Sequence, residues 1–236
     1  MRRLPVFLLV VGALVLFVVP YFVLPAVLEN LVARNVQDRL GLAERPDVKL
    51  DSDPQWEMLA GEFSGGRVAV GRSDLGGIRA RSADIDLDPF TVDWGETIKS
   101  RALVSPEPVS GRARLEISED EVLRLARQNA EMPVKGVELR RDGATVESEA
   151  TALGTTFPVT VEGGVGVAGN ALVFRPQSVQ AAGMAVPGYL ADSLLAGTSF
   201  RYPVEGLPYG ATITGARTID GAVVLSGRVS GVEIGG

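Results

Sequence analysis

The sequence predicts an α+β fold built on a mainly antiparallel β-sheet, with an amphipathic helix near the N-terminus and a transmembrane or signal helix ahead of it. Three observations carry that expectation. The body of the chain is rich in Gly and Val and broken into short apolar runs, the composition of a mostly β domain. Asp-Gly and Gly-Asn pairs divide alternating segments into hairpins, whose strands are antiparallel by construction. The first forty residues instead carry an unbroken apolar run followed by helical spacing. In a chain of 236 residues, setting aside 1–25 as a signal-anchor or signal peptide leaves 26–236 as one β-rich domain.

Met1, Arg2 and Arg3 form a short positive cap. From Leu4 to Leu28 no residue is charged, enough to cross a hydrocarbon core of ~30 Å as a helix. Pro20 and Pro25 fall in its outer half. A cut after Ala26 would put Leu24 at the −3 position, a poor match to the small-residue rule, so the expectation is retention. The Arg pair then stays in the cytoplasm and the body lies on the extracytoplasmic side of the cell membrane, or in the envelope if the leader is cleaved.

In "VLENLVARNVQDRLG", Leu28, Leu31, Val32, Val36 and Leu40 follow helical spacing, opposed by Glu29, Arg34, Asp38 and Arg39, with Gly41 as a C-terminal cap. From about Val48 the period changes to two: "GRVAVG", "ADIDLD" and "GRARLEIS" read as strands. Three hairpins follow, "VELRRDGATVESE", "VGVAGNALVF" and "ARTIDGAVVLSGRV". Asp142-Gly143 and Asp220-Gly221 suggest type I′ turns, and Gly169-Asn170 a further turn. Between them, "ISEDEVLRLARQNAEMP" reads as a helix with Ser118 and Glu121 as a capping box, Val122, Leu125, Ala126 and Asn129 on one face, and Pro133 as its stop. "PGYLADSLLAG" reads as a shorter helix, with Pro187 near its start and Gly197 at its end.

The chain has no histidine and no cysteine. That excludes a Ser-His-Asp triad, a Cys nucleophile, an imidazole base and the usual zinc ligands. Asp84, Asp86 and Asp88 share one face of a strand, but carboxylates about 7 Å apart along a line make no cage for a metal. No metal site, catalytic residue or cofactor is therefore expected. The net charge of −6 opposes nucleic acid, which needs a basic stripe. Arg140-Arg141 and the pair Arg112/Arg114 are read as charged outer strand faces.

What remains is apolar. "QAAGMAVPGYLADSLLAGTSF" joins Met184, Val186, Tyr189, Leu190, Leu194 and Leu195 with one charge, Asp192. The short helix is apolar round more of its circumference than a surface helix needs. It reads either as core or as the lining or lip of an apolar cavity, with Met and Tyr giving adaptable, amphipathic contact.

The order of parts resembles a known family. A leader runs into an amphipathic helix starting at Glu29. Then come a Pro54…Leu59-Ala60-Gly61 element, a mid-chain helix and the Asp142-Gly143 hairpin. The ending holds Leu207, Pro208, Gly210, Asp220 and Gly221. Together, over about residues 26–234, they resemble the LmeA family of actinobacterial envelope phospholipid-binding proteins. The resemblance implies a curved sheet rolled around the long N-terminal helix and an apolar groove that binds phospholipid. It implies no catalytic residues.

The expectation is thus an extracytoplasmic phospholipid-binding or lipid-transfer protein, not an enzyme. Acyl chains would be held by Leu31 and Val36 of the first helix and by Met184, Val186, Tyr189, Leu190, Leu194 and Leu195. Its partners are phospholipid and membrane, with a protein partner in envelope biosynthesis also compatible. Two other readings stand beside it. One is a membrane-anchored scaffold for envelope assembly without a ligand cavity. The other is a glycan hydrolase using Asp84, Asp86 or Glu149.

Overall fold

The computed structural model describes residues 26–54, 56–75, 77–100, 103–152, 154–186 and 188–232. The leader predicted over 1–25 lies outside the described residues, and no helix among those described is long and apolar enough to cross a membrane. The rest is mostly antiparallel β-sheet with a few helices, in two compact units. The first holds the chain up to Val70 together with Ile85–Gly111 and the C-terminal residues from Ser230; the second holds Gly71–Asp84 and Arg112–Val229.

In the first unit, helix α1 (residues 26–40) buries Leu28, Val32 and Ala33, with Leu31, Val36 and Leu40 half-buried beside them. The face is the one its 3.6-residue period demands. Gly41 closes it at φ +60°, a left-handed cap that favours glycine. Strands β1 (Asp47–Asp51) and β3 (Gly65–Val70) pair antiparallel, Val48 opposite Val68. Glu29 fastens α1 to this pair by accepting the Leu50 N–H at 3.3 Å. Helix α2 (Glu57–Ala60) buries Met58 and ends on Gly61 in the left-handed conformation. Strands β2 (Glu62–Phe63) and β6 (Phe90–Thr91) then pair so that the Phe63 and Phe90 rings stack 4.9 Å apart. Helix α3 (Trp94–Ser100) follows.

The second unit begins with β4 (Ser73–Leu75), paired to β5 (Ile78–Leu87), whose last three residues belong to the first unit. Strand β7 (Val109–Ser118) likewise starts in the first unit and runs into the second. Helix α4 (Glu119–Asn129) follows, and then β8 (Val134–Arg140), β9 (Gly143–Ala152), β10 (Thr155–Val167), β11 (Ala171–Ala181) and β12 (Met184–Ala185) form a meander in the order β12-β11-β10-β9-β8. Helix α5 (Gly188–Thr198) lies against β11 and β9. β13 (Phe200–Pro203) pairs with β11, and β14 (Thr212–Ile219) with β15 (Ala222–Val232).

All three predicted hairpins are present, but their turns differ. Arg140 pairs with Gly143, so the first turn is Arg141-Asp142 and Gly143 is the first residue of β9. A Cβ on Gly143 would meet the Gly163 carbonyl oxygen at 2.6 Å, so the glycine serves close strand approach. In the last hairpin Gly221 has φ +73° but Asp220 is not among the positive-φ residues, so the turn is not type I′. A further hairpin lies beyond those the sequence predicts: Ala182 and Gly183, at φ +50° and +76°, turn β11 into β12.

The second unit has one large core cluster, with Leu125, Ala126, Val122 and Ile117 meeting Val146, Val159, Val161, Leu172 and Phe174. α4 is thus a core helix. Ser118 makes no side-chain cap bond, against the expected capping box. Glu121 is instead buried, accepting the Arg79 N–H at 3.0 Å and a bond from Arg124 Nε at 2.8 Å. Glu119 accepts the Leu139 N–H at 2.8 Å. Both carboxylates satisfy strand donors that an apolar residue would leave bare. Asn129, expected on the buried face, is exposed and donates to the Leu125 carbonyl.

At the centre of the meander a β-bulge at Glu162/Gly163 sets Gly163 opposite Pro176. A Cβ there would lie 2.3 Å from the Arg175 carbonyl oxygen and 2.8 Å from Pro176 Cα. Both are backbone atoms of β11, which cannot swing aside as the Phe174 ring, also 2.8 Å away, could. Gly163→Ala is expected to cost about 2–3 kcal/mol, read as a lower urea midpoint; an unchanged midpoint would show that the bulge relaxes freely.

Candidate functional site

The chemistry of the site begins at Gly197. The sequence suggests it as the end of α5, but the helix continues to Thr198, and Gly197 lies inside it. A Cβ at Gly197 would meet Met132 Cγ and Sδ at 2.9 Å, and the Gly197 carbonyl accepts the Met132 N–H at 3.0 Å. Glycine here lets the segment after α4 lie directly on α5. Pro133 is held from the other side, its carbonyl accepting the buried Ser148 hydroxyl at 3.0 Å. Arg127 adds bonds to the carbonyls of Val134 and Lys135, at 3.0 and 2.8 Å.

These constraints leave a cleft of about 600 Å³ along α5, lined by Glu131, Met132, Pro133, Glu149, Ala150, Thr151, Thr156, Leu194 and Gly197. Its lining is of two kinds. Met132, Pro133, Ala150 and Leu194 are apolar. Glu131, Glu149 and the Thr151–Thr156 pair, whose hydroxyls lie 3.0 Å apart across β9 and β10, are polar. Glu149 is paired with Lys135 at 3.2 Å. Phe157 sits opposite Ala150 in the ladder and packs on the core beside the cleft.

The structure treats the expected site residues unequally. Leu194 lines the cleft. Leu195 and Val186 are half-buried and pack on the core cluster. Met184 is 71% exposed, at the foot of the β11–β12 turn. That turn lies at the β10 end of the cleft, because the Ala182 N–H donates to the Pro158 carbonyl at 3.1 Å, two residues from Thr156. Tyr189 and Leu190 belong to α5, but their side chains lie outside the described residues. Leu31 and Val36 are in the first unit, half-buried on α1. Met132, Pro133, Ala150 and Thr156 were missed. The legible signal was Gly197, a glycine inside an apolar helix, which marks a close neighbour.

Of the carboxylates weighed for hydrolysis, Asp86 is paired with Arg67 at 3.1 Å and Glu149 with Lys135 at 3.2 Å. Among the described residues no group of acids could hold a metal ion. Arg140 pairs with Glu138 on the outer face of β8, as expected, whereas Arg141 lies in the β8–β9 turn and not on a strand face, where it pairs with Asp220.

A second hollow, of about 470 Å³, lies in the first unit against the stacked Phe63 and Phe90, with Glu57, Glu62 and Glu107 at its edge. It is smaller and rimmed by acids. No curated protein and no solved structure matches the chain. A family model does, described as LmeA-like phospholipid-binding and covering residues 19–228, which takes in α5 and the whole cleft lining; the chain belongs to the LmeA-like phospholipid-binding family.

Proposed function

We propose that this protein is an extracytoplasmic phospholipid carrier that holds an acyl chain along α5, in the cleft between Met132 and Leu194. The observation that carries it is the two-sided lining. An acyl chain gains ~0.8 kcal/mol for each methylene removed from water, and Met132, Pro133, Ala150 and Leu194 offer that surface. The Thr151 and Thr156 hydroxyls can donate to the phosphate oxygens of a head group, and Glu131 and Glu149 can accept from its amine or hydroxyl donors. Exposed Met184 at the same end of β10 extends the apolar path as a lip. The uncharged run Leu4–Leu28 supports export and tethering. Such a role needs no titrating nucleophile, which agrees with a chain lacking His and Cys.

The scaffold reading is favoured by one observation, the tightly packed cluster beneath α5, where Leu172 and Phe174 are buried. Lipid mass spectrometry on the purified full chain separates the two. Co-purifying phospholipid is expected, and Leu194→Glu should lower its occupancy about tenfold by placing a carboxylate against the chain. Gly197→Ala, which pushes on Met132, should lower it less. Absence of lipid from the wild type, or full occupancy in Leu194→Glu with an unaltered melting curve, would overturn the proposal.

A further inference from the structure

The first unit carries an exposed apolar feature that the cleft does not use. Trp56 is 62% exposed, Leu59 44% and Ile98 76%. Trp56 and Leu59 stand three residues apart across the single turn of α2, so they share a face, while Met58 turns inward. Ile98 stands one turn beyond Trp94 on α3. The two helices are joined at their bases. The Val92 N–H donates to the Gly61 carbonyl at 2.7 Å, and a Cβ on Gly61 would lie 3.2 Å from Trp94 Nε1. The start of α3 therefore rests on the cap of α2.

We infer that Trp56, Leu59 and Ile98 form a tip that inserts into the surface of a phospholipid bilayer; this rests on the phospholipid reading above. Two observations choose the bilayer as the occupant, and a third sets how it would be held. Tryptophan is the residue suited to the boundary between hydrocarbon and water, with an apolar body and a single N–H. Next, α1 begins where the uncharged run Leu4–Leu28 ends, and its first turn lies at the α2 end of β1. Glu29 accepts the Leu50 N–H, and Trp56 follows Leu50 by only six residues, within about 20 Å of extended chain. The tip is thus close to the first described turn of α1, which the uncharged run precedes in the sequence. Finally, the surrounding charge is acidic, with Glu57, Asp93 and Glu96 exposed or half-buried and Lys99 spent on Glu96 at 2.7 Å. An anionic head-group site would need the opposite sign, so contact must come from apolar insertion and be nearly independent of salt.

The chain has two tryptophans and no cysteine, which makes the test direct. The full chain is reconstituted in phosphatidylcholine vesicles, so the leader stays in place. With Trp94→Phe, Trp56 is the sole indole, and its emission should fall by about half when the acyl chains are brominated, at low and at high salt alike. Ile98→Cys, labelled with a polarity-sensitive dye in the otherwise native chain, reports the second helix without touching either tryptophan. Leu59→Ser with Ile98→Ser should abolish the quenching while leaving the melting midpoint unchanged. Trp56 emission indifferent to bromination but quenched by aqueous iodide, with the label at 98 in water, would overturn the inference. Phospholipid held by the wild-type chain before reconstitution and lost in Leu194→Glu would then show that only docking had failed, and not lipid binding.

Discussion

Glu121→Ala is expected to destabilise the second unit by about 2–4 kcal/mol at neutral pH, the cost of leaving a buried backbone donor unanswered and a half-buried cation without its partner. Glu121 is 5% exposed, and its two oxygens answer the Arg79 N–H and the Arg124 guanidinium. Arg124 in turn bonds the Gly77 carbonyl at 2.9 Å, so one carboxylate fastens α4 to the β4–β5 turn. Truncation strands the Arg79 backbone donor and takes the carboxylate from Arg124, which keeps its bonds to the Gly77 carbonyl and Gln128. In a chain of this length the melting midpoint should fall by roughly 10 °C.

The pH dependence of the same group gives an independent check. Burial alone would raise the Glu121 carboxyl, but the Arg124 hydrogen bond and the Arg79 N–H outweigh it and hold it below its ordinary 4.5. Arg124 is raised in consequence, first by its bond to Glu121. A carboxyl whose folded pKa lies below its unfolded one stabilises the fold fully above the unfolded value, and that contribution fades as pH falls through the folded one. The difference in urea midpoint between wild type and Glu121→Gln should therefore be largest at neutral pH and narrow below about 4.5. A gap that does not change with pH would mean that the charge of Glu121 contributes nothing.

Leu125→Ala should cost about 3–4 kcal/mol, because Leu125 is fully buried on α4 among strand residues that cannot collapse into the space it leaves. Leu123, half-buried on the same helix, serves as the internal comparison, and its truncation should cost about 1 kcal/mol. Equal losses at the two positions, measured by urea unfolding, would show that α4 is not seated as described.

Much of the scaffold was legible because its signals are local. The alternation in "GRARLEIS", the spacing of Val122, Leu125 and Ala126, and the paired segments around residues 142, 169 and 220 each depend on neighbours in sequence. Phospholipid binding was legible through the order of parts, as the match over residues 19–228 bears out. Local chemistry misled where a residue serves a distant one. Ser118 and Glu121 have capping-box spacing, yet Glu121 turns inward because β5 presents a buried N–H that must be answered. Gly143 has turn spacing, yet it enters β9 because Gly163 lies against it.

The sequence by itself determined the three predicted antiparallel hairpins, α4 with Val122, Leu125 and Ala126 on its buried face, and the absence of His and Cys chemistry. Those follow from composition and from periods of two and 3.6 residues, which any stretch of chain expresses alone. Only the tertiary structure decided that Met132 and Leu194 wall one cleft. The reason lies at Gly197, where a missing Cβ lets two segments remote in sequence close to hydrogen-bond distance. No local pattern encodes such an approach, because its partner is chosen by the packing of α5 on β11 and β9.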